Sequence, residues 1–262
     1  MPATIENTFL NIAGRKTQLV HGGHGPPLLY LHSAGGETEW MPFFEQLAES
    51  WHVYIPAHPG FSLSEGLETI EDMQDLVWHT VDLMDQLQLD RVPVVGFSLG
   101  AWLGAELAIH RPERVERLAM IAAAGIHVPD APVAELFIDD IDELTNLLFH
   151  DPTCPGVALG MPSGLEDSRI LLWIRAREAT ARIAWNPYLH NPRLRQHLHR
   201  IQCPTLVVWG RHDQLIPLAH GQCYAQEIPG AKLKVIEECG HMVPFEKCEE
   251  LVAVLRPFLA GR

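Results

Sequence analysis

The 262-residue sequence has no apolar run that reaches the roughly 18 to 20 residues needed to cross a bilayer, which excludes a membrane-spanning helix. Positive charge is also scarce. The 19 Lys and Arg are scattered among 33 Asp and Glu, giving a formal net charge of −14, so the clustered cations that bind phosphate are missing and a nucleic-acid partner is excluded. Cys154, Cys203, Cys223, Cys239 and Cys248 form an odd set without a C-x-x-C pair, which fits reduced thiols rather than a disulfide framework or a zinc site. Met1 to Val20 holds Glu6, Arg15 and Lys16 and no continuous apolar core, so no secretory signal is read and a cytoplasmic location is expected. Repeats and low-complexity stretches are absent, and 47% hydrophobic residues against 20% charged argue against disorder.

What is present is a strand and helix grammar. Phe9 to Val20, with Ala13-Gly14 between two amphipathic arms, predicts a β-hairpin. Leu28 to Leu31 is apolar on both faces, as a strand buried inside a sheet must be. There follow a helix from about Trp40 to Ser50, a strand at Val53 to Ile55, and a helix from Ile70 to Leu87 whose Met73, Val77, Val81 and Met84 recur at helical spacing. Val92 to Phe97 and Val115 to Ala122 read as strands around a helix from Ala101 to His110. Strands at Thr205 to Trp209 and Leu233 to Ile236 alternate with helices at His220 to Glu227 and Glu249 to Leu259. Such alternation indicates a sheet covered on both faces. Between Gly125 and Leu198 the pattern becomes helical, at Ala134 to Phe149, Leu165 to Trp185 and Pro192 to Arg200. The expected organisation is therefore a core built from residues 1–124 and 199–262, interrupted by a helical cap at 125–198.

The sharpest local motif is Gly96-Phe97-Ser98-Leu99-Gly100, between a strand and a helix. A G-x-S-x-G segment there puts the serine on a tight bend, and small flanking residues keep side chains out of neighbouring backbone. Serine needs a base to become a nucleophile at neutral pH. His241, in Gly240-His241-Met242 after the last strand, is the candidate, with Asp213 in Gly210-Arg211-His212-Asp213 to orient it; His212 is assigned to the turn. Amides of Leu99 and of Ala34, in the small-residue loop Ser33-Ala34-Gly35-Gly36, are the candidate donors to a developing oxyanion. Ser33, Phe97, Trp173, Trp185 and Met242 are the candidate pocket residues, with Phe137 and Phe149 also shaping it. No metal or organic cofactor is called for; His197 and His199, two apart on a helix, point to different sides.

Together these segments resemble the α/β-hydrolase superfamily over nearly the whole chain. The resemblance rests on Leu31-His32-Ser33-Ala34-Gly35 in place of H-G-x-x-G, on His58-Pro59-Gly60-Phe61, on the turn at Ser98, on Pro204 to Asp213, and on Gly240-His241 followed by Pro244-Phe245-Glu246. It implies a mostly parallel eight-stranded sheet with helices on both faces and a helical cap inserted after the sixth strand. Ser33 departs from the family's usual glycine, Ala57 from a frequent aspartate, and Ser62 from a second glycine. Serine at position 98 disfavours a haloalkane dehalogenase, whose chemistry needs a carboxylate there.

The preferred expectation is hydrolysis of a small, largely apolar ester or lactone through an acyl-enzyme. The runner-up is carbon–carbon hydrolysis of ring-fission products of aromatic degradation, whose enzymes typically carry tryptophan where Met242 stands. Arg175, Arg177 and Arg182 could then bind a substrate carboxylate, though a solvated face is the preferred assignment for them. A third reading keeps the fold as a small-molecule receptor, against which the complete Ser, Asp, His set speaks. Oligomeric state cannot be read from the sequence.

Overall fold

In the computed structural model, which describes residues 4–262, the strand rhythm becomes one eight-stranded sheet. The first half of the chain forms β1 (Ile5–Ile12), β2 (Arg15–Gly22), β3 (Pro27–Leu31), α1 (Pro42–Ala48), β4 (His52–Pro56), α2 (Met73–Gln86), β5 (Val92–Phe97), α3 (Leu99–His110) and β6 (Val115–Ile121). Helices α4 (Ile141–Leu148), α5 (Pro155–Gly160), α6 (Ile170–Ala184) and α7 (Leu194–His197) lie between β6 and the next strand. The remainder is β7 (Thr205–Gly210), α8 (Leu218–Glu227), β8 (Lys232–Ile236), α9 (Val243–Glu246) and α10 (Cys248–Leu259).

The spatial order is β1-β2-β4-β3-β5-β6-β7-β8. β1, β2 and β4 pair antiparallel, and every pairing from β4 through β3, β5, β6 and β7 to β8 is parallel. The inner strands β5 and β7, each flanked by a strand on both sides, are buried at every position, which is why their sequences are continuous rather than alternating apolar runs. Edge strand β8 alternates between exposed and half-buried along Lys232 to Val235. The hairpin turns at Ala13 and Gly14, both at positive φ (49° and 88°), the backbone that a tight two-residue connection requires.

Capping residues move several helix boundaries inward from the expected ones. α2 starts at Met73 rather than Ile70 because Asp72 is its N-cap, accepting the Gln74 and Asp75 amides. The helix expected over Ala134 to Phe149 starts only at Ile141, capped by Asp140. The segment before it is held by tertiary bonds instead: the Leu136 amide donates to the Tyr188 hydroxyl at 2.6 Å. α6 is shorter than the expected Leu165 to Trp185, and Pro192 to Arg200 is only a short helix with a 3-10 turn. Helices α5 and α9 stand where the sequence reading had none. No helix among the described residues is long and apolar enough to cross a membrane.

The parallel strands end on one edge of the sheet. Ser98 follows β5, Asp213 lies three residues beyond β7, His241 follows β8, and the Ser33 to Gly36 loop follows β3. A parallel sheet gathers distant residues in this way because all its carboxyl ends share one rim.

Candidate active site

Ser98 takes φ 52° and ψ −110°, a conformation that a side-chain-bearing residue rarely adopts. The turn survives because its flanks are bare. A Cβ on Gly96 would overlap the Gly100 carbonyl, and one on Gly100 would overlap the Leu31 and His32 carbonyls. Gly100 thus lets the start of α3 press against the end of β3, bringing the loop after β3 beside Ser98.

His241 Nε2 lies 3.0 Å from Ser98 Oγ, and Nδ1 lies 2.8 Å from Asp213 Oδ2. All three residues are buried. The other Asp213 oxygen accepts the Leu215 and Ile216 amides at 3.0 and 2.8 Å, so the carboxylate is fixed before it meets the imidazole. His241 is fixed from the helical segment as well: its amide donates to Leu148 C=O at 2.8 Å. Glu246, in the Pro244-Phe245-Glu246 segment, accepts the Gly240 amide on one oxygen and the His150 and Asp151 amides on the other. His212 sits in the turn as expected, donating its amide to Cys239 C=O at 2.8 Å.

A narrow cavity of about 50 Å³ meets Ser98 and His241, and Ser33, Trp173 and Met242, three of the candidate pocket residues, border it together with Ala34. A second cavity of about 480 Å³ shares Gly35, Glu37, Gly160, Met161 and Trp173 with it, so the two are neighbours across these residues. Phe97 does not border the inner cavity; it is core, its ring 5.4 Å from the His241 ring. Trp185 is not in the pocket either. It is 58% exposed at the C-cap of α6 and packs on Phe137, which does border the cavity. Phe149 is likewise core, and Leu171 points to solvent.

Of the arginines of α6, Arg182 is exposed, as a solvated face requires, while Arg175 and Arg177 are half-buried. Arg175 donates to Ser64 C=O, Arg182 to Ile70 and Glu68 C=O, and Arg177 to Leu136 and Ile138 C=O. Of the three, Arg177 alone borders the inner cavity, stacked 4.5 Å over the Trp173 ring. A guanidinium has five N–H donors, so the two bonds Arg177 makes to carbonyls leave others for a ligand. Burial is the main effect on this side chain and lowers its pKa, against the raising influence of Asp139 and Glu135.

Two polar cavity residues escaped the sequence reading, as did the apolar Leu136, Leu144, Leu148, Met161 and Leu215. Thr180 donates to Ala34 C=O at 3.3 Å, and Glu37 accepts from both the amide and the hydroxyl of Ser33. Thr180 could be placed only on α6, and Glu37 sits in a loop without periodicity; nothing local marked either. Burial pushes the Glu37 carboxyl above its ordinary range, opposed by its Ser33 hydrogen bonds and by His241. His32 closes the loop from behind, its Nδ1 2.7 Å from Ser33 C=O while Nε2 accepts the His58 amide.

The model of the Alpha/beta hydrolase family matches residues 19–254. A 2-hydroxymuconate semialdehyde hydrolase from Pseudomonas sp. (strain CF600) is 30% identical over 95% of this chain and 92% of its own length. A 2-hydroxy-6-oxo-2,4-heptadienoate hydrolase from Pseudomonas putida is 28% identical over 95% and 94%. Among solved structures, a 2-hydroxy-6-oxo-6-phenylhexa-2,4-dienoate hydrolase from Rhodococcus sp. strain RHA1 superposes with a TM-score of 0.81 at 22% identity, covering 98% of this chain and 99% of that one. This last likeness is one of fold.

Proposed function

The chain belongs to the alpha/beta hydrolase family, and on that premise we propose that Ser98, His241 and Asp213 are the nucleophile, base and orienting acid of a carbon–carbon bond hydrolase acting on a small dienoate. The observation that carries the choice of substrate is Arg177, a cation bordering an otherwise largely apolar cavity, placed to receive a carboxylate. The relatives' names support this alternative more than the ester or lactone preferred on sequence alone. Residues 125–198 are read as the cap, supplying Trp173, Arg177 and Thr180, over a core of 1–124 and 199–262; residues 1–3 of that core lie outside the described residues. The five free cysteines fit a reducing compartment and hence the cytoplasm.

In this reading Ser98 Oγ attacks the keto carbon while its proton passes to His241 Nε2, and Asp213 stabilises the resulting imidazolium. The amides of Leu99 and Ala34 receive the oxyanion; neither has a protein acceptor among the described residues. The substrate reacts as its 2-oxo tautomer, the 2-hydroxyl proton having moved to the carbon beside the ketone; when the tetrahedral adduct collapses, the carbon–carbon bond breaks and its electron pair is delocalised onto the 2-oxo oxygen of the leaving fragment as a dienolate. His241 returns the proton to that fragment, and the acyl group stays on Ser98. Water, deprotonated by His241, then releases the acid and restores the serine.

Turnover of 2-hydroxymuconate semialdehyde, 2-hydroxy-6-oxo-2,4-heptadienoate and p-nitrophenyl acetate tests the assignment. The dienoates are expected to give the higher kcat/KM, and Arg177→Ala to lose about tenfold or more on them while leaving the uncharged ester nearly unchanged. Ester turnover exceeding dienoate turnover, with no selective effect of Arg177→Ala, would restore the ester or lactone reading.

A further inference from the structure

The loop after β3 spends nearly all its hydrogen-bonding capacity on itself and on Glu37. The Ser33 amide donates to Glu37 Oε2 at 2.9 Å, the Gly35 amide to Ser33 Oγ at 3.0 Å, and the Gly36 amide to Ser33 C=O at 3.1 Å. The Ser33 hydroxyl donates to Glu37 Oε1, so both carboxyl oxygens hold one residue. Of the four amides from Ser33 to Gly36, that of Ala34 alone has no acceptor among the described residues. It shares a peptide plane with Ser33 C=O, which accepts from both His32 Nδ1 and the Gly36 amide. Rotating that plane to redirect the Ala34 N–H would break both bonds, and Glu37 anchors the residue from which the plane departs. Ala34, Glu37 and Ser98 border the same cavity.

We propose, resting on the assignment of Ser98 as nucleophile, that Glu37 is a positioning residue of the oxyanion site: through Ser33 it holds the His32 to Gly36 loop so that the Ala34 amide faces the charge formed on the Ser98 adduct. A full negative charge so near would oppose the oxyanion it helps to accommodate. Burial, the largest influence on Glu37, works against that charge. The carboxyl therefore supplies geometry at reduced electrostatic cost, and its effect on catalysis passes through Ser33 rather than through contact with substrate.

Glu37→Ala, Ser33→Ala, the double variant and Glu37→Gln test this, with p-nitrophenyl acetate turnover and with 1,1,1-trifluoro-2-butanone, whose hemiketal on Ser98 places an oxyanion at the loop. Affinity for the ketone is read by competition with fluorophosphonate labelling, which needs no turnover. Misplacing one oxyanion donor should lower kcat about 10- to 100-fold and weaken the ketone by a similar factor, with KM changed less than about twofold. The double variant should be no worse than Glu37→Ala. Glu37→Gln, which keeps an oxygen for the Ser33 amide and offers its NH₂ to Ser33 Oγ, should recover most of kcat.

Parent-like kcat and ketone affinity in folded Glu37→Ala would overturn the proposal, as would a loss confined to KM or fully additive single effects. If Glu37→Ala does not fold, Ser33→Ala carries the same expectations: an unchanged kcat and ketone affinity there overturns the proposal. Fluorophosphonate labelling that survives Ser98→Ala would instead overturn the nucleophile on which the proposal rests, so the two failures are distinguishable.

Discussion

His32, His58 and His79 are all but withdrawn from water, and burial is the leading reason that each resists protonation. The pKa values of His32 and His79 fall from 6.5 to about 4, and that of His58 lies well below 6.5. The unfolded chain takes up these protons near pH 6.5 while the folded chain still refuses them. Their contribution to stability is thus complete above about pH 6.5 and is lost as the pH falls toward 4, by about 1.4 kcal/mol per pH unit for each excluded proton. Urea unfolding at pH 7.5, 5.5 and 4.5 should show a falling midpoint, with a shallower fall in His79→Gln; equal slopes in the two proteins would contradict this. At the same scale, Ser98, Asp213 and His241 were legible in the sequence because each follows a strand within a short recognisable motif. Glu37 was not, because a carboxyl four residues from a serine in a loop has no signature until the loop closes. Trp185 misled for the opposite reason: size suggested a pocket residue, whereas at the C-cap of α6 it is largely exposed and packs on Phe137.

At the scale of elements, the strands were legible because burial on both faces leaves continuous apolar runs, as in β5 and β7. The helices between β6 and β7 were less so, since their limits depend on contacts far along the chain. Asp140 starts α4, while Tyr188 and Arg177 hold the preceding Leu136 to Ile138 stretch outside any helix. Glu246 is the counterpart on the other side of the site, where one carboxylate from α9 ties the Gly240 loop to the His150-Asp151 turn after α4. Glu246→Ala strands three amides and should cost about 1 to 3 kcal/mol in denaturant unfolding, with kcat falling as His241 loses its support. A variant as stable and as active as the parent would show that the helical segment holds His241 without this link.

At the scale of the whole molecule, the parallel run from β4 to β8 brings four loops to one rim, and membership of the alpha/beta hydrolase family accounts for their order in the chain. That arrangement was legible in the sequence because its motifs lie at strand ends. It could not rank the substrate, because the Arg177 guanidinium reaches the cavity only once α6 is folded across it. The central claim, that Ser98 becomes acylated, is tested most directly by rapid quenching of the enzyme with 2-hydroxy-6-oxo-2,4-heptadienoate, followed by mass spectrometry of its peptides. An acetyl increment on the peptide containing Ser98, absent in Ser98→Ala together with turnover, is the predicted result. Undiminished turnover in Ser98→Ala, or an adduct on a different residue, would contradict the account.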